Sequence, residues 1–204
     1  MPRWDSKAFR KNLITELQPL LRGQQGLYKA CLARTMATTL EPPAAGSESA
    51  LFANRLRGTD CGPWIIKPSE SLVDLAFLER AAKAAAWTTV ATAESEAYAR
   101  HAVDLPQEDD EFDVGYFWDL YKLLQVYSPV RVFQAVTTQG NGAKLMANLV
   151  AYVQRYGAHL SHPVEVELAV VEDVNATSGW VRFVAITGSG GANLVVGQEE
   201  VLPP

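Results

Sequence analysis

The chain has 204 residues, 48% hydrophobic and 20% charged, with 18 Lys and Arg against 23 Asp and Glu for a net charge of −5. That length buries a substantial core in one domain, the apolar fraction excludes a disordered chain, and no apolar run nears the roughly 20 residues a membrane span needs. The opening MPRWDSKAFR lacks the apolar stretch of a secretory signal, and Cys31 and Cys61 make no disulfide framework, which predicts a reducing cytoplasm and no membrane partner.

The average charge conceals a division. Residues 1–67 carry ten basic and five acidic side chains, a net +5, so the remainder carries −10. A negative total speaks against nucleic acid, because phosphate binding relies on Lys and Arg. The split instead suits a chain in which one part meets a polyanion and another gathers carboxylates around a metal. Helices with solvated Lys and Arg produce the same split, so charge alone leaves both readings open.

In chain order, Phe9, Leu13, Ile14, Leu17, Leu20 and Leu21 recur at spacings of three and four behind Asp5 or Ser6, which predicts a capped helix. A second helix is predicted from Gln25 to Thr38, stopped by the Pro-containing turn former from Glu41 to Ser49. A short helix, Ser49 to Arg57, then precedes a turn at Gly58 to Gly62. Residues 1–67 thus read as a helical, basic N-terminal part, and residues 68–204 as an α/β core of the same compact unit.

The segment from Ser69 to Thr92 has two parses. Ser69 before Glu70, followed by Leu72, Leu75, Ala76, Leu78 and a run of alanines, fits one capped amphipathic helix, and propensity favours it. The competing parse is a strand Ser71 to Leu78, a connection Glu79 to Ala85 and a strand Trp87 to Ala93, where Thr88, Thr89, Val90 and Thr92 favour β structure. Further on, Val130 to Thr138 reads as a strand and Gly142 to Tyr156 as a helix. Val164 to Asp173, Trp180 to Thr187 and Asn193 to Val196 read as three more strands, which makes a mixed sheet flanked by helices.

On the two-strand parse, Asp74 lies inside an apolar strand and the next strand ends in Ala91-Thr-Ala-Glu94-Ser-Glu96. Side chains alternate faces along a strand, so Glu94 and Glu96 point the same way, roughly 7 Å apart. Three carboxylates at the ends of neighbouring strands repel one another unless a divalent cation sits among them, as Mg²⁺ does with carboxylates, water and substrate phosphate. That outlines a site for phosphodiester cleavage. On the helical parse Asp74 faces solvent, and Glu94 and Glu96 are a solvated pair before Tyr98.

An Asp in one strand, an apolar strand ending in Glu-x-Glu, then a helix and another strand resembles the PD-(D/E)xK nuclease superfamily. Ala93-Glu-Ser-Glu96, Asp119-Leu-Tyr-Lys122-Leu-Leu and Ser128-Pro-Val-Arg-Val-Phe further resemble an uncharacterised bacterial group of restriction-endonuclease-like proteins, the match running from Lys67 to Phe133. The resemblance implies a restriction-endonuclease-like α/β fold, Mg²⁺ or Mn²⁺ as cofactor, and Asp74 and Glu94 as metal ligands. It puts Glu96 at the third position, where the superfamily usually keeps a Lys that orients or activates the attacking water and some restriction enzymes keep Glu. Lys122, three residues after Asp119 and on the same helix face, either supplies the missing cation or forms an ordinary intrahelical ion pair. Glu48, read as part of the preceding helix, matches the extra acidic residue of many such nucleases, with Glu70 and Glu79 as competitors.

DNA is the implied partner, gripped by Arg10, Lys11, Arg55, Arg57 and Lys67. The alternative from the same resemblance is a catalytically degenerate member that acts as a nucleic-acid- or protein-binding module in a bacterial defence system, as a homodimer or with a partner protein. Other motifs are weaker. The acidic run Glu108 to Glu111 lacks the ligand spacing of an EF-hand, His159 and His162 have no cysteine near them, and Gln139 to Lys144 lacks the spacing of a phosphate loop. No Gly-x-Ser-x-Gly elbow is present.

Overall fold

The computed structural model describes residues 4–19, 25–43, 45–54, 56, 58–68, 72–81, 86–97, 103–104, 115–138, 140–157, 159–160, 162–173, 180–188 and 193–203. Within them the chain forms four helices and nine strands. These are α1 (Ser6–Leu17), α2 (Gln25–Thr39), β1 (Glu48–Ala53), β2 (Ile65–Pro68), β3 (Leu75–Arg80), β4 (Thr88–Ala97), α3 (Tyr116–Gln125), β5 (Val130–Thr138), α4 (Gly142–Gly157), β6 (Val164–Asp173), β7 (Trp180–Gly188), β8 (Leu194–Val196) and β9 (Glu200–Leu202).

The strands join one mixed sheet in the order β2-β1-β3-β4-β5-β6-β7-β8, with β9 also pairing β7. β4, β5 and β6 run parallel at its centre, and antiparallel pairs flank them on both sides. In β5 only the last residue is exposed, because a parallel strand covered on both faces reads as a continuous apolar run. One face carries α1 and α2 through Phe9, Leu13, Leu32 and Met36, and the other carries α3 and α4 through Phe117, Leu120, Leu145 and Leu149. The result is three layers, helices on both sides of a sheet.

α1 begins where expected, with the Asp5 carboxylate accepting from the Ala8 backbone N–H at 3.0 Å, which satisfies one of the free amides of a helix start. α3 is fastened to β5 at both ends. Tyr116 Oη donates to the Val136 carbonyl at 2.6 Å. At the other end the buried Arg131 guanidinium donates to the carbonyls of Leu123 and Val126, with Nη2 to Val126 at 2.7 Å. The last helical carbonyls are thus satisfied by a cation from the neighbouring strand.

Three expectations are corrected. Where a short helix from Ser49 to Arg57 is predicted, residues 49–53 lie in a strand, because β1 is hydrogen-bonded between β2 and β3 on both sides, and sheet pairing overrides the helix formers Ala, Leu and Glu. Glu48 therefore opens a strand, and the first 67 residues contribute β1 and β2 to the sheet rather than helices alone. Of the two parses of 69–92, the structure takes the two-strand one, with shifted bounds: β3 and β4 pair antiparallel with a register shift at Phe77 and Leu78. Asp74 precedes β3 by one residue instead of lying inside it, and β4 runs on to Ala97, which takes Glu94 and Glu96 into the strand. No helix among the described residues is long and apolar enough to cross a membrane.

Candidate active site

Alternation along β4 decides which residues meet. Ala91, Ala93 and Ala97 face the α1 and α2 layer, so Thr92, Glu94 and Glu96 face α3. α3 packs on β4 and β5 and presents Asp119 and Lys122, one helical turn apart. Asp74 arrives from the start of β3, where its Oδ2 accepts from the Ser95 backbone N–H at 3.2 Å. Asp74, Glu94, Glu96 and Lys122 are therefore brought together, with Asp119 among them.

The charges in this cluster are coupled. Lys122 Nζ lies 3.2 Å from Glu94 Oε1 and 2.6 Å from Asp119 Oδ1. Lys29, from α2, places its Nζ 2.5 Å from Asp74 Oδ1. Glu94 is 2% exposed, and its Oε1 accepts no well-aligned hydrogen bond despite the nearby ammonium. Burial first, and the Asp74 charge second, push the Glu94 carboxyl up to about 9, with Lys122 opposing. Burial and then Asp119, which shares a hydrogen bond with it, push the Glu96 carboxyl up to about 7. Burial by itself lowers the Lys122 ammonium, but Asp119 and Glu94 outweigh it and hold the group above its ordinary value.

The donor set is entirely carboxylate oxygen, which suits Mg²⁺ or Mn²⁺ and not a soft metal. Burial before any charge raises the Glu94 and Glu96 carboxyls, and two ammonium groups, Lys122 at Glu94 and Lys29 at Asp74, already face the cluster. Among the described residues no three His, Cys, Asp or Glu side chains stand as a ready-made ligand group, and Lys122 holds the place beside Glu94.

The remaining sequence candidates lie elsewhere. Arg10, on the opposite face of the sheet, is engaged internally, its Nε 2.7 Å from Glu167 Oε1 and its Nη1 2.9 Å from Glu200 Oε2. Lys11 is exposed on α1. Lys67, in β2, lies over the rings of Phe52 and Trp87. Glu48 pairs with Arg80 at the far end of β3. Arg55, Arg57, Glu70 and the acidic run 108–111 lie outside the described residues. The N-terminus of α4, weighed as an anion site, is taken by the Glu172 carboxylate, which accepts from the Gly142 N–H at 2.5 Å. His162 Nε2 is 2.6 Å from Arg131 Nη2.

Two residues of the cluster escape a sequence reading. Asp119 is visible only as the partner of Lys122, although its place three residues ahead of that lysine is the signal for it. Lys29 is 45 residues from Asp74 in the chain, and only the fold joins them. Comparison with family models, with curated proteins and with solved structures finds no match for this chain.

Proposed function

We propose that this chain is a metal-dependent nuclease of restriction-endonuclease type that hydrolyses phosphodiester bonds in DNA. The observation that carries the reading is Glu94, a buried carboxyl crowded by Asp74 and incompletely balanced by Lys122. Buried carboxyls shifted by desolvation and by neighbouring charges are candidates for a functional site. The order of elements supports it too, since Asp74 immediately precedes one strand, Glu94 and Glu96 lie in the next, and a helix and another strand follow.

Asp74 and Glu94 would hold Mg²⁺ or Mn²⁺, which would supply charge neutralisation at the phosphate and acidify an attacking water. Glu96, whose carboxyl titrates near neutrality, takes up the proton of that water as general base. Asp119 holds the Glu96 carboxyl in position by their hydrogen bond. Lys122 provides the fixed positive charge that the superfamily's third-position lysine brings, here from α3 instead of β4.

The test is nicking of supercoiled plasmid by purified protein in Mg²⁺ or Mn²⁺, against Asp74→Asn and Glu94→Gln. Cleavage by the native chain and by neither variant is the expected result, and equal cleavage by all three, or by none, overturns it. A second reading is favoured by the ion pairs of Lys29 with Asp74 and of Lys122 with Glu94, which already neutralise part of the cluster. In that reading the chain is a catalytically degenerate nucleic-acid- or protein-binding module, and its mark is salt-sensitive DNA binding without metal-dependent cleavage.

A further inference from the structure

α3 and α4 cover the sheet from β4 to β8, and the same face continues past them onto β3, β1 and β2. Register shows what stands there. Lys67 pairs with Phe52, Phe52 with Ala76, and Ala76 with Thr92, so these four side chains form one row across four strands. Asp74 and Glu94 lie two residues beyond Ala76 and Thr92, which puts the carboxylates one row away, about 7 Å. In the other direction the face carries Leu78 and Arg80 on β3, Ile65 on β2 and Trp87 at the start of β4.

This surface is aromatic and cationic. The rings of Phe52 and Trp87 meet edge to face with centroids 6.0 Å apart. Lys67 Nζ lies 4.9 Å and Arg80 Cζ 4.8 Å from the centre of the Trp87 ring. Ile65 is 65% exposed, while Phe52, Lys67, Leu78, Arg80 and Trp87 are half-buried. Glu48 is the carboxylate facing the cations, through its pair with Arg80.

We propose that this face of β2, β1 and β3 receives a single-stranded stretch of nucleic acid and leads it to the carboxylates. The inference rests on reading those carboxylates as a phosphodiester site, and it adds the form of the substrate. Lys67 and Arg80, which lie over the Trp87 ring, are complementary to phosphates, and drawn out to them they leave the ring face to a base. In a duplex the base faces are covered by stacking, whereas an unpaired strand exposes them, so a flat aromatic and cationic sheet selects the single strand. Trp87, immediately before β4, stands seven residues ahead of Glu94, roughly 20–25 Å away, a span that takes several nucleotides.

The experiment is fluorescence anisotropy of a labelled oligo-dT 20-mer and of a 20-base-pair duplex, titrated with the full chain in EDTA so that binding is read without cleavage. The native chain binds the single strand more tightly than the duplex. Trp87→Ala weakens single-strand binding by about tenfold or more. Lys67→Ala lowers the slope of log K against log salt by about 0.7, and Glu48→Gln, which frees Arg80, tightens binding. Because Lys67 lies on an edge strand, its variant keeps the test decisive if Trp87→Ala fails to fold by circular dichroism. No binding of the single strand, preference for the duplex, or unchanged binding in both Trp87→Ala and Lys67→Ala overturns the proposal. Plasmid nicking separates the two ideas: single-strand binding lost in Trp87→Ala from a chain that never cleaves supports this surface alone. Cleavage lost in Glu94→Gln with binding untouched in Trp87→Ala and Lys67→Ala supports the nuclease alone.

Discussion

The sheet buries glutamates in two ways. In β6, Glu167 is met by the Arg10 guanidinium, and Glu172 accepts from the Gly142 N–H at the start of α4. Each has a partner from a helix laid on the sheet, although Arg10 also reaches the exposed Glu200. In β4, Glu94 shares a single lysine with Asp119 and has Asp74 for a neighbour. A buried charge that has a counter-charge is costly to strand, whereas one crowded by like charges is costly to keep, which makes Glu94 the candidate for a functional carboxyl.

Cleavage breaks or sharpens the contrast most strongly. Glu94→Gln abolishes metal-dependent nicking, and Glu96→Gln lowers its rate by about 10² to 10⁴-fold, the range for loss of a general base. Both variants keep the native circular dichroism spectrum. In β6 the effects move to stability. Arg10→Met strands the buried Glu167 and costs about 3–5 kcal/mol in a urea titration, with the nicking rate of the folded fraction unchanged. Gly142→Ala is smaller: its Cβ meets the Glu172 carboxylate at 2.5 Å, and relief of that overlap costs about 1–3 kcal/mol.

The finest test is pH. Glu94 and Glu96 have folded carboxyls raised to about 9 and about 7, so the folded state binds more protons than the unfolded one between the ordinary carboxyl range and those values. Stability from this source is present below about pH 4.5 and is lost as pH rises through 7 and then 9. Glu94→Gln removes the larger part of that loss. Its melting temperature, measured by differential scanning calorimetry, gains on the native chain by a few degrees between pH 5 and pH 9. A constant difference across that range contradicts the crowding of Glu94.

Much of the central sheet is legible in the sequence. Val130 to Thr138 and Val164 to Asp173 are β-branched runs between turn formers, and the strands lie where those runs predict. β1 is not legible, because Glu-Ser-Ala-Leu-Phe-Ala holds no β-branched residue and becomes a strand only through two neighbours remote in sequence. β3, Leu-Ala-Phe-Leu-Glu-Arg, is helix-prone for the same reason, and only the β-branched run after Trp87 argues for the two-strand parse. β2 is four residues long and ends in Pro68, too short for a periodic signal.

The site follows the same pattern. Glu94 and Glu96 on one face follow from alternation in a strand, and Asp119 with Lys122 from the helical turn. Their convergence does not follow from the chain alone. It depends on β4 lying beneath α3 and on Arg131 and Tyr116 fastening that helix to β5. Lys29 is delivered by α2, and nothing in Gln25 to Thr39 distinguishes it from the other basic residues of the first third.

Whether the crowded carboxylates of Asp74 and Glu94 form a divalent-cation site is read from anomalous scattering by crystals soaked in Mn²⁺. A manganese peak bound by the Asp74 and Glu94 carboxylates, with Lys122 withdrawn from Glu94, is the predicted result. Lys122 still paired to Glu94 and no peak beside either carboxylate contradicts such a site.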